Sequence, residues 1–164
     1  MKLFVVFISI MFLNIQSIDL NTIRHDYKEA AQDKTKVNSF NTQLINVTKK
    51  NKPILVAYKG AGIALKGRYS KKIKDKKSFF IEGVTLVDYA LKKAPSNIEL
   101  RFIRLGIQEN TPKLLKYKGN ISEDKDYILA NFKTVKSSNL KKHIQEYVLQ
   151  SKAFTAEEKI IFLN

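Results

Sequence analysis

Arg101, Arg104 and Gln108 recur at i, i+3 and i+7, with Glu109 beside them. On a helix that spacing sets two guanidinium groups and a carboxamide on one face. The planar guanidinium fork is the side chain best shaped to hold a carboxylate through two parallel bonds. Two roles fit the pattern. The arginines pair across a helix interface with an acid such as Asp88 or Glu82, or they form a groove that captures a partner's carboxylate. Tyr58 and Lys59 line that same groove if the helices pair as hairpins.

The second constellation is lysine-rich. Between Lys49 and Lys77 stand eleven basic residues and one acid, Asp75, so this stretch carries +10 of the net +15. Its densest part, Lys66, Arg68, Lys71, Lys72, Lys74, Lys76 and Lys77, reads as a loop between two helices. Such a concentration attracts anions: lipid head groups, lipopolysaccharide phosphates, acidic glycans or an acidic protein face. With 26 Lys to 4 Arg in the chain, the contacts are point charges that do not dictate phosphate geometry. Base stacking would need free aromatic faces, but Phe79 and Phe80 fall in a helix-core pattern, so specific nucleic-acid binding is not expected. The plain alternative is solvated surface lysine.

Other chemistry has little to work with. The chain has no Cys, which excludes a thiolate nucleophile, a thiolate zinc site and a disulfide framework. His25 and His143 have no local partners and read as structural or surface residues. Asn120, Ser122, Asp124 and Asp126 alternate like the opening of a calcium loop. Lys125 stands where that loop needs glycine, however, and Asn131 where it needs glutamate. The acids read instead as first-turn charges that favour the helix dipole. Gly60-Ala61-Gly62 lacks the third glycine of a dinucleotide fingerprint. No metal or cofactor site is expected.

The elements that must position these residues read as helix after helix. Leu20, Ile23, Tyr27, Ala30, Val37, Phe40, Leu44 and Val47 keep a three-four spacing that predicts one long helix after Asp19. Pro53 suits a first helical turn. Behind it Ala57, Gly60, Ala61 and Ala64 form a stripe of small residues for close packing of another helix. A third helix is predicted over Ser78–Ala94, stopped by Pro95. Ser96 and Glu99 have capping-box spacing before a helix over Ile98–Gln108. Ser122 reads as the cap of a further helix, Asn139–Gln150 as another, and Thr155 with Glu158 as a second capping box. Strict alternation and hairpin turns are lacking, so the fold class is all-α. Its 164 residues suit one domain.

Met1 and Lys2 precede the apolar run Leu3–Leu13, and charge returns at Asp19. This is the layout of a secretory leader cut near Ser17, with an uncleaved N-terminal anchor as the alternative. Residues 18–164 then form the domain. Export without cysteine suits a bacterial envelope.

Helix starts at Pro53, Asn97 and Asn139 recur at offsets of 44 and 42 residues, a period that points to stacked helix pairs. The string Ala90-Leu91-Lys92-Lys93-Ala94-Pro95-Ser96-Asn97, with Glu99 and Leu105-Gly106, resembles the junction between tetratricopeptide repeats. That resemblance implies antiparallel helix hairpins in an array, with an irregular helical bundle as the alternative. The stretches IRHDYKEAA, AYKGAGIALKGRYS and NIELRFIRLGIQEN are similar to small exported proteins of the Bacteroidetes. This likeness implies compartment and fold but no reaction. The expectation is an exported, non-catalytic helical interaction module that binds a protein partner or an anionic envelope component. It would use the Lys66–Lys77 segment and the Arg101/Arg104 helix, and would touch a membrane only through an uncleaved leader or surface charge. The alternatives are an enzyme or enzyme accessory acting on envelope glycans, and a structural part of an envelope assembly. Unpaired Glu82, Asp88 or Glu99 facing a cavity would favour the enzyme.

Overall fold

A computed structural model describes residues 19–163, and the expected leader lies outside them. The described residues form eight α-helices and three 3-10 turns, with no strand among them. The all-α class expected from the sequence is the one observed. Among the described residues no helix is long and apolar enough to cross a membrane.

Helix α1 (Leu20–Gln32) starts at Asp19, whose carboxylate accepts from the amides of Asn21 and Thr22. The single long first helix expected from spacing is broken at Asp33. That residue ends α1 and caps a 3-10 turn, Lys34–Lys36, by accepting from Thr35 N at 2.8 Å. Helix α2 (Val37–Gln43) follows. Val37, Phe40 and Leu44 are buried just as Ile23 and Ala30 are, so the apolar spacing runs straight through a bend that a short polar side chain makes.

Helix α3 (Pro53–Tyr69) has Pro53 at its start and is buried on every side from Val56 to Leu65 except at Lys59. A helix that is apolar all round belongs at the centre of a fold, and α3 touches α1, α2, α4 and α5. Helix α4 (Ile73–Lys93) is its main neighbour. The glycines make this possible, because a Cβ at Gly60 would lie 2.5 Å from the carbonyl oxygen of Gly83.

Helix α5 (Ile98–Asn110) is capped by Asn97, which accepts from the amides of Glu99 and Leu100. The expected Ser96–Glu99 capping box does not form, since Glu99 turns inward. Helix α6 (Ile121–Asn131) starts at Asn120, and Ser122 is inside it rather than at its cap. Helix α7 (Ser138–Gln150) is capped by Ser137. Helix α8 (Ala156–Ile160) carries the expected capping box of Thr155 and Glu158. α7 packs back on α1, where Lys28 Nζ meets Glu146 Oε2 at 2.7 Å.

Candidate functional site

The arginine face exists, and it holds the chain's own carboxylate. Arg104 grips Asp124 of α6 in a fork, Nε to Oδ2 and Nη2 to Oδ1, both at 2.7 Å. Gln108 donates to Asp124 at 3.0 Å. Arg101 bonds Glu123 and lies 3.3 Å from Asp124. Asp124 is fully buried. The arginines therefore do pair across a helix interface, but with the first turn of α6 rather than with Asp88 or Glu82. Asp88 instead accepts from the Tyr117 hydroxyl at 2.6 Å, and Glu82 is exposed on α4. Glu109 faces away from this cluster. Its carboxylate accepts from Tyr147, from Ser151 at 2.7 Å and from the amides of Lys152 and Ala153, which fastens the chain after α7.

Tyr58 and Lys59 belong to neither face of that groove. Lys59 donates to the carbonyls of Ile45 and Val47 at 2.9 and 2.5 Å and closes the turn after α2. Tyr58 is wholly buried and donates to Glu99 at 2.7 Å. Glu99 also takes a fork from Arg24, at 2.7 and 2.8 Å, while Arg24 Nη1 reaches Asn21 and Asn139. This hub joins α1, α3, α5 and α7. Burial first, then the Glu99 charge, pushes the Tyr58 hydroxyl well above its usual range, so it stays a donor. The sequence offered Glu99 as a capping-box residue and gave no sign of its pairing with Arg24.

The lysine segment is mostly helix, not loop. Lys66 and Arg68 close α3, Lys71 and Lys72 make the turn, and Lys74, Lys76 and Lys77 stand on the first turns of α4. Lysine is a good helix former, and Asp75 supplies a first-turn acid. Charge density misled the reading of this stretch as loop. All five lysines from Lys71 to Lys77 are exposed.

Sequence reasoning missed a cavity of about 340 Å³ bounded by α1, α3, α5, α7 and the start of α4. Its walls are Ala61, Ala64 and Leu65 of α3, Phe102 and Ile107 of α5, and Phe80 of α4. The small-residue stripe on α3 was the available signal, since alanine and glycine leave room where larger side chains would fill it. At the rim stand Lys28, Arg68, Lys76 and Glu146. Lys28 and Glu146 neutralise each other. Arg68 and Lys76 have no carboxylate within ion-pair distance among the described residues, and Arg68 lies over the Tyr69 ring. Arg68 is thus the one arginine of the four that the fold does not spend on an internal carboxylate.

One buried polar atom of the wall is without a hydrogen-bond partner among the described residues. His143 Nε2 is buried with no hydrogen-bond partner, and its ring packs edge-on against Phe102 at 5.0 Å. Close by, burial pushes the Tyr27 hydroxyl up to about 12 against the pull of Arg68. Buried polar groups normally find partners, so this wall suits a guest that is not purely hydrocarbon.

Burial pushes the His143 imidazole down to about 4; Lys28 and Arg24 act in the same direction, and Glu99 and Glu146 oppose. The folded protein therefore prefers neutral His143, while the unfolded chain takes up a proton near the ordinary value of about 6.5. The resulting stability is complete above pH 6.5 and is lost as pH falls from there toward 4. By linkage the loss at pH 5 is about 2 kcal/mol, or about 5 °C in Tm for a domain of this size. Thermal unfolding at pH 7.5 and pH 5 measures it, and His143→Phe flattens the difference.

Comparison of the chain with protein families, with curated proteins and with solved structures returns no match. What the site does is read from its own geometry.

Proposed function

We propose that this protein is a non-catalytic helical binding module of the cell envelope whose cavity takes a single-chain amphipathic anion of the fatty-acid class. The observation that carries the reading is an apolar cavity with two cations at its mouth, Arg68 and Lys76, that have no ion-pair partner among the described residues. An acyl chain buries about 0.8 kcal/mol per methylene, and the carboxylate meets the guanidinium and ammonium at the rim. A volume of 340 Å³ lies at the small end of the roughly 300–1,000 Å³ of ligand pockets, which suits one chain rather than two. The expected placement in the envelope rests on the leader pattern, and the α4–α5 junction supports reading the helix hairpins as tetratricopeptide-like.

The acids that would favour an enzyme do not face the cavity. Glu99 is held by Arg24 and Tyr58, Asp88 by Tyr117, and Glu82 stands exposed. The one acid of the cavity lining, Glu146, is paired with Lys28. This arrangement leaves no unpaired carboxylate at the cavity among the described residues, which favours binding over carboxylate general acid–base work.

The test is a fluorescence titration with dansyl-labelled undecanoic acid, followed by displacement with laurate and octanoate. Laurate displaces the probe at least ten-fold better, as its longer chain requires. Gly106 lines the cavity, and the nearest atoms to a Cβ there belong to the Tyr147 ring, at an ordinary 3.7 Å. Gly106→Leu therefore fills the cavity from a position with room and abolishes probe binding while the fold stays intact. Arg68→Ala with Lys76→Ala weakens binding about ten-fold, the value of a charge-assisted bond. Probe binding that survives Gly106→Leu unchanged would refute the cavity as the site.

A further inference from the structure

We infer that the surface around the cavity mouth docks on an anionic lipid bilayer, with Ile73 and Leu114 entering the leaflet and a ring of lysines holding its head groups. Ile73 and Leu114 are 84% and 89% exposed, the two most exposed large aliphatic side chains among the described residues. They sit on different elements yet border one opening. Ile73 is one turn before Lys76 on α4, and Leu114 is next to Leu115, and both Lys76 and Leu115 line the cavity. Phe80 packs edge-on against Tyr117 at 5.7 Å, which fastens the segment after α5, including its 3-10 turn Lys113–Leu115, along α4 and keeps the two edges together.

The charge around them is predominantly positive. Lys71, Lys72, Lys74, Lys76 and Lys77 flank Ile73, and Lys113 and Lys116 flank Leu114. All seven are exposed, and Asp75 is the only acid in the two segments. Each lysine held near an anionic leaflet strengthens partition about five-fold. The aliphatic pair decides between polyanions. A nucleic acid or an acidic protein loop would reward the lysines but leave Ile73 and Leu114 in water. A leaflet removes both side chains from water and matches the lysines at its surface. The docked orientation also sets the cavity mouth against the acyl chains, so that a guest passes between leaflet and cavity without crossing bulk water. Only this last consequence rests on the cavity's proposed role.

The experiment is co-sedimentation of the purified protein with vesicles of phosphatidylcholine alone and with vesicles containing about a third phosphatidylglycerol. Binding to the anionic vesicles is expected to be at least ten-fold tighter and to fall steeply as salt rises. Ile73→Asp with Leu114→Asp changes only exposed side chains. It is expected to lower anionic-vesicle binding at least ten-fold with an unchanged far-UV circular dichroism spectrum. Lys72→Glu with Lys74→Glu and Lys77→Glu has the same effect. Gly106→Leu leaves vesicle binding as it was, which separates docking from occupancy of the cavity. Equal binding to neutral and anionic vesicles overturns the inference, and so does an Ile73→Asp/Leu114→Asp variant that binds anionic vesicles like the parent. Preference for a duplex oligonucleotide over the anionic vesicles overturns it as well.

Discussion

Glu99→Leu is expected to cost about 3–5 kcal/mol, the penalty for leaving a buried charge unpaired. The carboxylate accepts three bonds, two from Arg24 and one from Tyr58. Arg24 is 6% exposed and Glu99 4%, so water cannot replace the lost acceptor. A domain of this size has about 5–15 kcal/mol in all, and the variant is left close to unfolding. Urea denaturation reads the effect as a lower midpoint at similar slope. The companion variant makes the result diagnostic. Replacing Arg24 by Leu and Tyr58 by Phe in the Glu99→Leu background removes every orphaned donor of the hub. Apolar replacement of a whole buried ion pair is often neutral, so the triple variant recovers most of the loss. A triple variant no more stable than the single one would mean that packing, not charge, sets the cost.

The same hub shows where sequence reading stops. Helix starts after Asp19, at Pro53 and at Ile98, and the Thr155–Glu158 box were legible because each depends on residues a few positions apart. Glu99 and Arg24 are 75 positions apart, and no local pattern joins them. Glu99 had the spacing of a capping residue, and its actual partners became visible only with α1 and α3 in place. Asp124 is a similar case. As a first-turn acid it was correctly located on a helix start, but its burial against Arg104 depends on how α6 docks on α5. The lysine segment failed for a different reason. Charge predicts exposure well and secondary structure poorly, and Lys74, Lys76 and Lys77 are exposed and helical at once. The cavity is the least legible feature, because it is made of side chains that are too small rather than of side chains that do something.

Those small side chains also carry the second large prediction. At Gly83 an added Cβ would lie 2.5 Å from the Gly60 carbonyl oxygen and 2.7 Å from the Ala64 amide nitrogen. Both obstacles are backbone, so no rotamer change relieves them, and α3 and α4 must move apart. Alanine would gain about 1 kcal/mol in helix propensity. Overpacking between two helix backbones costs up to about 3 kcal/mol or somewhat more, and here it prevails, since the contact lies in the main interface of the central helix. Gly83→Ala is therefore expected to destabilise by about 2 kcal/mol net. At Gly106 the nearest atom to an added Cβ is a Tyr147 ring carbon at 3.7 Å, an ordinary contact. There the propensity gain stands alone, and Gly106→Ala is expected to stabilise by up to about 1 kcal/mol. The same substitution thus has opposite signs at two mid-helix glycines, measurable as opposite shifts of the urea midpoint. The effect at Gly83 extends to binding, because Ala64 on α3 and Phe80 on α4 are facing walls of the cavity, and separating the helices enlarges the space that grips the acyl chain. Gly83→Ala should weaken dansyl-undecanoate binding even at temperatures where the variant is fully folded. Shifts of the same sign at Gly83 and Gly106 would show that the backbone contact between α3 and α4 does not set their spacing.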